Sequence, residues 1–600
     1  MILNALYDLY KRLRDDPKVS IDVPGQSKTK VAFELVLTPD GALYGVTDLR
    51  VQQGKKLQPV EMMVPFQVKR TSGDCAYLLS DKADYLLGIG AEGVPTEDSL
   101  RRFSLSKAQH EKALSGVPGA EPVLTFLRTW KPEEALSNPH LKERFADLAS
   151  GSLMVFRVAG ESARVHQKDA VVAAAGGFME GEAKTDAAFC LVTGERTQVS
   201  QVHSSIKGVR NAQSSGAALV SFNCDAFTSY GKAQSVNAPV SADAARGYVA
   251  ALNWLLADPK HRVQLGDATT VFWSEEPAAE TLMPELLGQS FDAGGNGESD
   301  ETRQRMQDIL TRVALGAHVD ENLLGFPPET RTYILGLAPN NSRLVVRFWH
   351  QDSFGNLVRR NAQHHADMAL VRQYESQHQF IQLPRLLTQM APRGDLDRLP
   401  CALTGGLMRA VLTGGPYPEG VFAALIGRIR ANDGGADARG NSLNPVNYAR
   451  VSLIKAVLAR RARILKNTEE ECLTMSLNQS ADTAYRLGRL FALLEKAQQD
   501  ANPGINATIR DRYFATASAS PVAAFPILLR LSQHHIKKSE FGFLIDRRIQ
   551  DVMNGIDAFP AHLSLEQQGR FMLGYYHQRQ DLYTKKPDNA KGEENNGQGN

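Results

Sequence analysis

Arg510, Arg512, Arg530, Lys537 and Lys538 fall within residues 506–538 against one acid, Asp511, in a 600-residue chain whose net charge is only +2. Cations gathered in this way bind polyanions, because every phosphate they neutralise releases condensed counterions. Aromatic rings among the cations add base stacking, and Tyr513, Phe514, His534 and His535 lie in the same stretch. A solvated basic helix face is the competing reading of the segment.

Four further segments carry the same chemistry. Gly54-Lys55-Lys56, followed by Lys69-Arg70-Thr71-Ser72-Gly73, sets glycine beside cations and hydroxyls, which lets a backbone approach a phosphate closely. Residues 206–234 hold Lys207, Arg210, Gln213, Ser214, Ser215, Asn223 and Lys232 with little negative charge, a set suited to sugar and base-edge hydrogen bonds. Residues 343–360 alternate so that Arg343, Val345 and Arg347 share one strand face. Residues 450–466 include Lys455, Arg460, Arg461 and Arg463 and no acid. A solvated helix interleaves acids with its cations, so an acid-free one is expected to face a polyanion or an acidic partner.

Catalytic signatures are missing. Gly88-Ile89-Gly90-Ala91-Glu92-Gly93 matches a dinucleotide fingerprint in letters only, because Val94-Pro95 follow at once where a helix should open; a turn is expected. No phosphate-binding Gly-Lys-Ser/Thr loop, zinc-protease or serine-hydrolase motif occurs. His350, His364, His365 and Asp367 are close in sequence without metal-ligand spacing. Glu469-Glu470-Glu471 reads as the acidic first turn of a helix. The five cysteines are scattered and fit a reducing cytoplasm, not a disulfide or zinc framework. No cofactor or metal is implied. The N-terminus lacks the order of charge and apolar run of a signal peptide, and no apolar run is long enough to span a membrane.

The elements that must position these residues are legible in outline. Ile2, Leu3, Leu6, Tyr7, Tyr10 and Leu13 predict an opening amphipathic helix. VAFELVLT and ALYGVTDL predict strands joined at Pro39-Asp40-Gly41. MMVPFQV, SLMVFRV, AFCLVTG and TTVFWSE read as strands, GAALVSFN as a buried one, and TYILGLA with RLVVRFWH as a pair around Pro339-Asn340-Asn341. SLRRFSLSKAQHEKAL, ETRQRMQDILTRVAL and the segment after Ser241, with Asp243 in its first turn, read as helices. From about Asp397 only helical periods remain. The expected fold is α+β: a mixed α/β, multi-part N-terminal body and an all-helical C-terminal bundle. The division is placed at 1–130, 131–396 and 397–584, with a disordered polar tail at 585–600.

Long, unusual strings then carry a resemblance over essentially the whole chain: MILNALYDLYKRL, DAFTSYGKAQSVNAPVSADAARGYVAALNWLL, YILGLAPNNSRLVVRFW, LGRLFALLEKAQQDANPGINATIRDRYFATASASP, LLRLSQHH and GYYHQRQDLYT. The chain resembles the large subunit of the type I-C CRISPR Cascade surveillance complex. The resemblance implies a non-catalytic, cytoplasmic subunit that recognises the motif flanking the target in double-stranded DNA and helps open the duplex into an R-loop with the guide RNA. It also implies steering of the displaced single strand and docking of the helicase–nuclease. The other implied partners are the backbone, guide-processing and small subunits. Family practice further suggests that Met475 could start a separately made small subunit of residues 475–600.

With that function in view, Lys55, Lys56, Arg70, Ser72 and Gly73 are the expected readers of the flanking motif. Lys207, Arg210, Gln213, Asn223, Lys232, Arg460, Arg510, Arg512 and Arg530 are the expected contacts to nucleic-acid backbone and displaced strand. A metal-dependent nucleic-acid-processing enzyme centred on His364, His365 and Asp367 is the alternative.

Overall fold

The structure is a computed structural model. It describes residues 1–583 apart from 18, 20, 22–25, 54–55, 68–73, 91–92, 143, 182–186, 288–297, 373, 375–376, 378, 435–443 and 467–471. The chain forms two compact units, Met1–Ala257 with Pro339–Leu344, and Asp258–Ala338 with Val345–Asn600. This division does not coincide with the boundaries at 130 and 396 read from the sequence. The Glu469-Glu470-Glu471 segment and the tail at 585–600 lie outside the described residues.

The main elements of the first unit are α1 (Ile2–Asp15), β1 (Gln26–Val31), β2 (Phe33–Leu37), β3 (Leu43–Asp48), β4 (Val60–Pro65), β5 (Ser80–Asp81), α2 (Glu97–Leu114), α3 (Glu121–Thr129), β6 (Met154–Val158), α4 (Asp169–Gly181) and α5 (Ala242–Ala257). A sheet of order β3-β2-β6-β5 forms its centre, with β2 and β6 parallel. A parallel pair needs a crossover, and α2 and α3 lie within it. Alternation along β2 sends Phe33, Leu35 and Leu37 into a core with Val123, Phe126 and Leu127 of α3. The same alternation turns Glu34 the other way, where its buried carboxylate accepts from Arg157 Nε at 2.6 Å and Arg164 Nε at 2.7 Å. The turn between β2 and β3 uses Gly41 at φ 82°, as its Asp-Gly sequence predicts.

Two close approaches order the rest of this unit. Gly247 of α5 lets Tyr7 and Tyr10 of α1 in: a Cβ there would stand 2.7 Å from the Tyr10 ring and 2.8 Å from that of Tyr7. Tyr7 then donates to Asp243 at 2.5 Å, and Ser241 caps α5 by accepting from Ala244 N at 3.1 Å. His110 of α2 is fully buried; its Nε2 accepts from Leu79 N at 2.8 Å while Nδ1 faces Ser106 O at 2.7 Å. Burial pushes this imidazole down to about 4, so it stays neutral and serves both neighbours. Ala91 and Glu92 lie outside the described residues; on either side of them Gly88 has φ 69° and Gly93 φ 79°, Gly93 N donates to Gly90 O at 2.9 Å, and helix α2 opens only after its cap, Thr96.

Two expected strands are corrected. GAALVSFN is not a strand, because only Ala217 and Ala218 find bridge partners. Of AFCLVTG only Ala188 and Phe189 are extended, in the short strand Ala187–Phe189 paired with Arg196–Gln198.

The second unit has β7 (Arg262–Leu265), β8 (Ala268–Ser274), α6 (Pro277–Leu287), α7 (Glu298–Ala314), β9 (Arg331–Asn340), β10 (Arg343–Ser353), α8 (Phe354–Met368), α9 (Leu383–Met390), α10 (Cys401–Thr413), α11 (Glu419–Arg430), α12 (Tyr448–Ile464), α13 (Thr483–Ala501), α14 (Ile509–Ala519), α15 (Pro521–Lys538), α16 (Gly542–Met553) and α17 (Leu565–Tyr583). Its sheet runs β7-β8-β9-β10 in order. The β9–β10 turn falls at Asn341-Ser342, with Asn341 at φ 54°, slightly beyond the position expected from Pro339. A single apolar core joins this sheet's Val263 and Ile334 to Tyr575 and Tyr576 of α17. Within it α13 and α17 approach each other closely at Gly488 and Gly574. Among the described residues no helix is long and apolar enough to cross a membrane.

Candidate nucleic-acid interface

In the first unit a loop presents three of the expected contacts together. Ile206 and Ala217 exchange both backbone hydrogen bonds at 2.9 Å, closing the segment between them. Gly216, at φ 91°, is needed at this closure, since a Cβ would sit 2.8 Å from the Ile206 carbonyl oxygen. Asn253 of α5 anchors the loop by accepting from Lys207 N at 2.8 Å. Lys207, Arg210 and Gln213 are thereby displayed to solvent on a fixed backbone.

The chain continues directly into a second cluster. Ala218 donates to Ser342 O and accepts from Leu344 N, each at 2.9 Å, which ties it to the Pro339–Leu344 tip. Arg343 on that tip donates to Asn223 Oδ1 and stacks its guanidinium 4.2 Å from the centroid of Phe227. Asn223 therefore orients an arginine, a role the sequence did not reveal. Lys232 follows on an exposed loop. Arg343 and Phe227 were not among the expected contacts; the signal for them was the aromatic residues interleaved with cations in residues 206–234 and the Arg343 strand.

The described flanks of the N-terminal basic segments are tied down. Gln67 Nε2 donates to Ser80 O at 2.9 Å, and Asp74 accepts from Arg101 at 2.7 Å and Arg102 at 2.8 Å. Those two hydrogen bonds, Arg102 first, hold the Asp74 carboxyl below its usual range. Lys55, Arg70, Ser72 and Gly73 lie outside the described residues, and of Lys56 the backbone alone is described, paired with Gln53.

In the second unit Arg512 of α14 and Arg530 of α15 are exposed. Arg510 is half-buried beside Asp511, at 3.3 Å. Asp511, the lone acid of that segment, belongs to the start of α14: it accepts from Thr508 N at 2.8 Å while Thr508 caps the helix. Phe514 is not available for stacking on a base. It is buried edge-on among Phe491, Phe571 and Tyr575, with ring centroids 5.3, 5.5 and 5.1 Å away.

The expectation for α12 is corrected. Arg460 is 1% exposed, and its guanidinium donates to Ala410 O at 2.7 Å and Gly415 O at 3.2 Å, above the Tyr417 ring. A phosphate cannot reach it. Lys455 is buried too, donating to Asp367 O at 2.9 Å, and burial pushes its ammonium down to about 8. Arg450 donates to Gln389 O at 3.0 Å and Pro445 O at 3.2 Å, and burial lowers it to about 10. Arg461 meets Glu419 and Glu566, and Arg463 meets Asp367. The acids missing from the helix are supplied by other elements.

Two of the three suggested metal residues, Asp367 and His364, are engaged in the same core. Asp367 accepts from Gln363 at 2.9 Å and from Arg463, and His364 Nδ1 is engaged with the Tyr417 hydroxyl. Among the described residues no group of three histidines, cysteines or acids is arranged to hold a metal.

A family model described as CRISPR-associated protein (Cas_Csd1) matches residues 6–583. No curated protein matches the chain.

Proposed function

The chain belongs to the CRISPR-associated protein (Cas_Csd1) family, a family of Cascade subunits, and from that premise we propose that it is the non-catalytic large subunit of a type I-C complex. In this reading it recognises the target-flanking motif in double-stranded DNA, promotes R-loop formation with the guide RNA, steers the displaced strand and helps recruit the helicase–nuclease. Exchange of a DNA duplex for a guide heteroduplex is nearly balanced, so modest contacts to the flanking duplex and the freed strand suffice to tip it. The observation that carries the proposal is the display of Lys207, Arg210 and Gln213 on one anchored loop, continuous with the Asn223–Arg343 pair and Lys232. Arg512 and Arg530 suit a second stretch of the strand's path. Lys55, Lys56, Arg70, Ser72 and Gly73 are proposed as readers of the flanking motif. Arg460 is withdrawn from the set.

Salt-titrated binding of target duplex by the assembled complex tests this. Lys207→Ala combined with Lys232→Ala removes two phosphate contacts to the freed single strand, so the slope of log affinity against log salt becomes shallower by about 1.4 and affinity near 0.1 M salt falls about 25-fold. An unchanged slope would show that these lysines serve protein contacts or none. The enzyme alternative is disfavoured by the engagement of Asp367 and His364 with structural partners.

We also propose that translation from Met475 supplies helices α13–α17 a second time as a free small subunit. These helices pack on one another around Phe491, Phe514, Phe525 and Phe571, within the apolar core they share with the rest of the second unit. A Met475→Leu gene should lose the short C-terminal product while still making the full chain; persistence of that product would sink the idea.

A further inference from the structure

Tyr230 is 97% exposed on a backbone at φ 55°, and Gln234, on the same loop, has φ 46°. Residues with a Cβ rarely adopt this left-handed conformation, so it persists only where surrounding structure imposes it. Here the bracing is visible. Asn237 Oδ1 accepts from Ser229 N at 2.8 Å, and Asn237 Nδ2 donates to Lys232 O at 2.9 Å and Gln234 O at 2.8 Å. Lys232 N closes the tip on Ser229 O at 3.1 Å. The loop thus holds a large ring away from the protein, with a cation two residues further on.

The ring has no packing role in this unit, and its chemical surroundings match those of a base-stacking platform. Upstream, Phe227 is 46% exposed and carries the Arg343 guanidinium on its face. Downstream, Lys232 is exposed. Rings interleaved with cations hold single-stranded nucleic acid by stacking on bases while the cations follow the phosphates. We propose that Tyr230 stacks on an unpaired nucleobase, with Lys232 meeting the adjoining phosphate. This rests on the reading of the surface as a nucleic-acid interface and adds the class of group it holds.

The test is fluorescence of the full chain with short single strands, one DNA and one RNA, each carrying 2-aminopurine. Tyr230→Ala should weaken binding about tenfold, with the salt slope unchanged because no phosphate contact is lost. Tyr230→Trp should restore affinity and the quenching of 2-aminopurine, whereas Tyr230→Leu should not. Loss on the DNA arm assigns the base to a DNA strand, and loss on the RNA arm to the guide. Wild-type binding by Tyr230→Ala on both arms, or rescue by leucine equal to that by tryptophan, overturns stacking. If Lys207→Ala with Lys232→Ala flattens the slope while Tyr230→Ala does not weaken binding, stacking fails and the interface stands. If neither variant changes binding, both readings fail.

Discussion

Gly488→Ala should destabilise the second unit by about 3 kcal/mol, although alanine is the better helix former. Gly488 lies in the buried face of α13, where a Cβ would stand 1.9 Å from the Phe571 carbonyl oxygen and 2.8 Å from Tyr575 N. The crossing is reciprocal, since a Cβ on Gly574 of α17 would stand 2.1 Å from the Tyr485 carbonyl oxygen. Glycine-to-alanine replacement inside a helix gains about 1 kcal/mol of propensity. Overpacking typically costs about 1–3 kcal/mol, and more where the obstacle is backbone that cannot turn aside. The clash wins, because relief requires α13 and α17 to separate along their length. Separation would also strain the contacts beside it: the buried Glu495 carboxylate accepts from Tyr575 at 2.6 Å, Thr508 at 2.8 Å and Arg579 at 3.0 Å. Urea unfolding of the full chain measures the effect. Gly427→Ala in α11 is the internal control, since its Cβ would meet nothing within 4 Å; it should be neutral or stabilising by up to about 1 kcal/mol. Equal stability of Gly488→Ala and wild type would mean the two helices are not in backbone contact.

The sequence revealed those elements whose burial follows from their own period. Helix α1 buries Leu6, Leu9, Tyr10 and Leu13 at helical spacing, and β2 shows its core face in the alternating Phe33, Leu35 and Leu37, while the burial of Glu34 on its other face depends on distant arginines. Features that depend on a distant partner were hidden. The apolar run at 217–220 could have been a strand only if a neighbour ran beside it, and the structure provides one bridge at Ala217 and another at Ala218. The stacking role expected of Phe514 failed for a reason already present in helix geometry. Two residues along an α-helix is a rotation of about 200°, so an exposed Arg512 directs Phe514 inward. The candidate interface was legible as composition, in Lys207, Arg210, Gln213, Asn223 and Lys232. Its construction was not, because the Ile206–Ala217 closure and the Asn223–Arg343 pairing join residues that no local pattern connects. For α12 the same geometry gives a usable warning: Arg460 shares its face with Leu453, Ala456 and Val457, all buried.

Arg460→Ala should therefore act on stability and not on nucleic-acid affinity. Breaking a buried ion pair or removing its hydrogen-bonding partner costs about 3–5 kcal/mol, and here the loss has three parts. The carbonyls of Ala410 and Gly415 lose the donor that reaches them at 2.7 and 3.2 Å. The Tyr417 ring loses the guanidinium 4.4 Å from its centroid. Asp367, buried with Arg460 Nε 3.6 Å away, keeps Arg463 and Gln363 but loses one of its two guanidinium neighbours. Asp367 retains partial compensation, so the expected cost lies near the lower end, about 3 kcal/mol. Arg460→Lys should recover little of it, since an ammonium cannot span two carbonyls and lie flat on a ring. Arg512→Ala supplies the contrast: the side chain is exposed, and its stability change should stay within about 0.5 kcal/mol. Urea unfolding, followed by salt-titrated DNA binding under conditions where both variants remain folded, separates the two roles. Arg460→Ala should bind with the wild-type slope, because a guanidinium enclosed by α10, α12 and Tyr417 neutralises no phosphate. A shallower slope with wild-type stability would instead place Arg460 at the surface and return it to the nucleic-acid path.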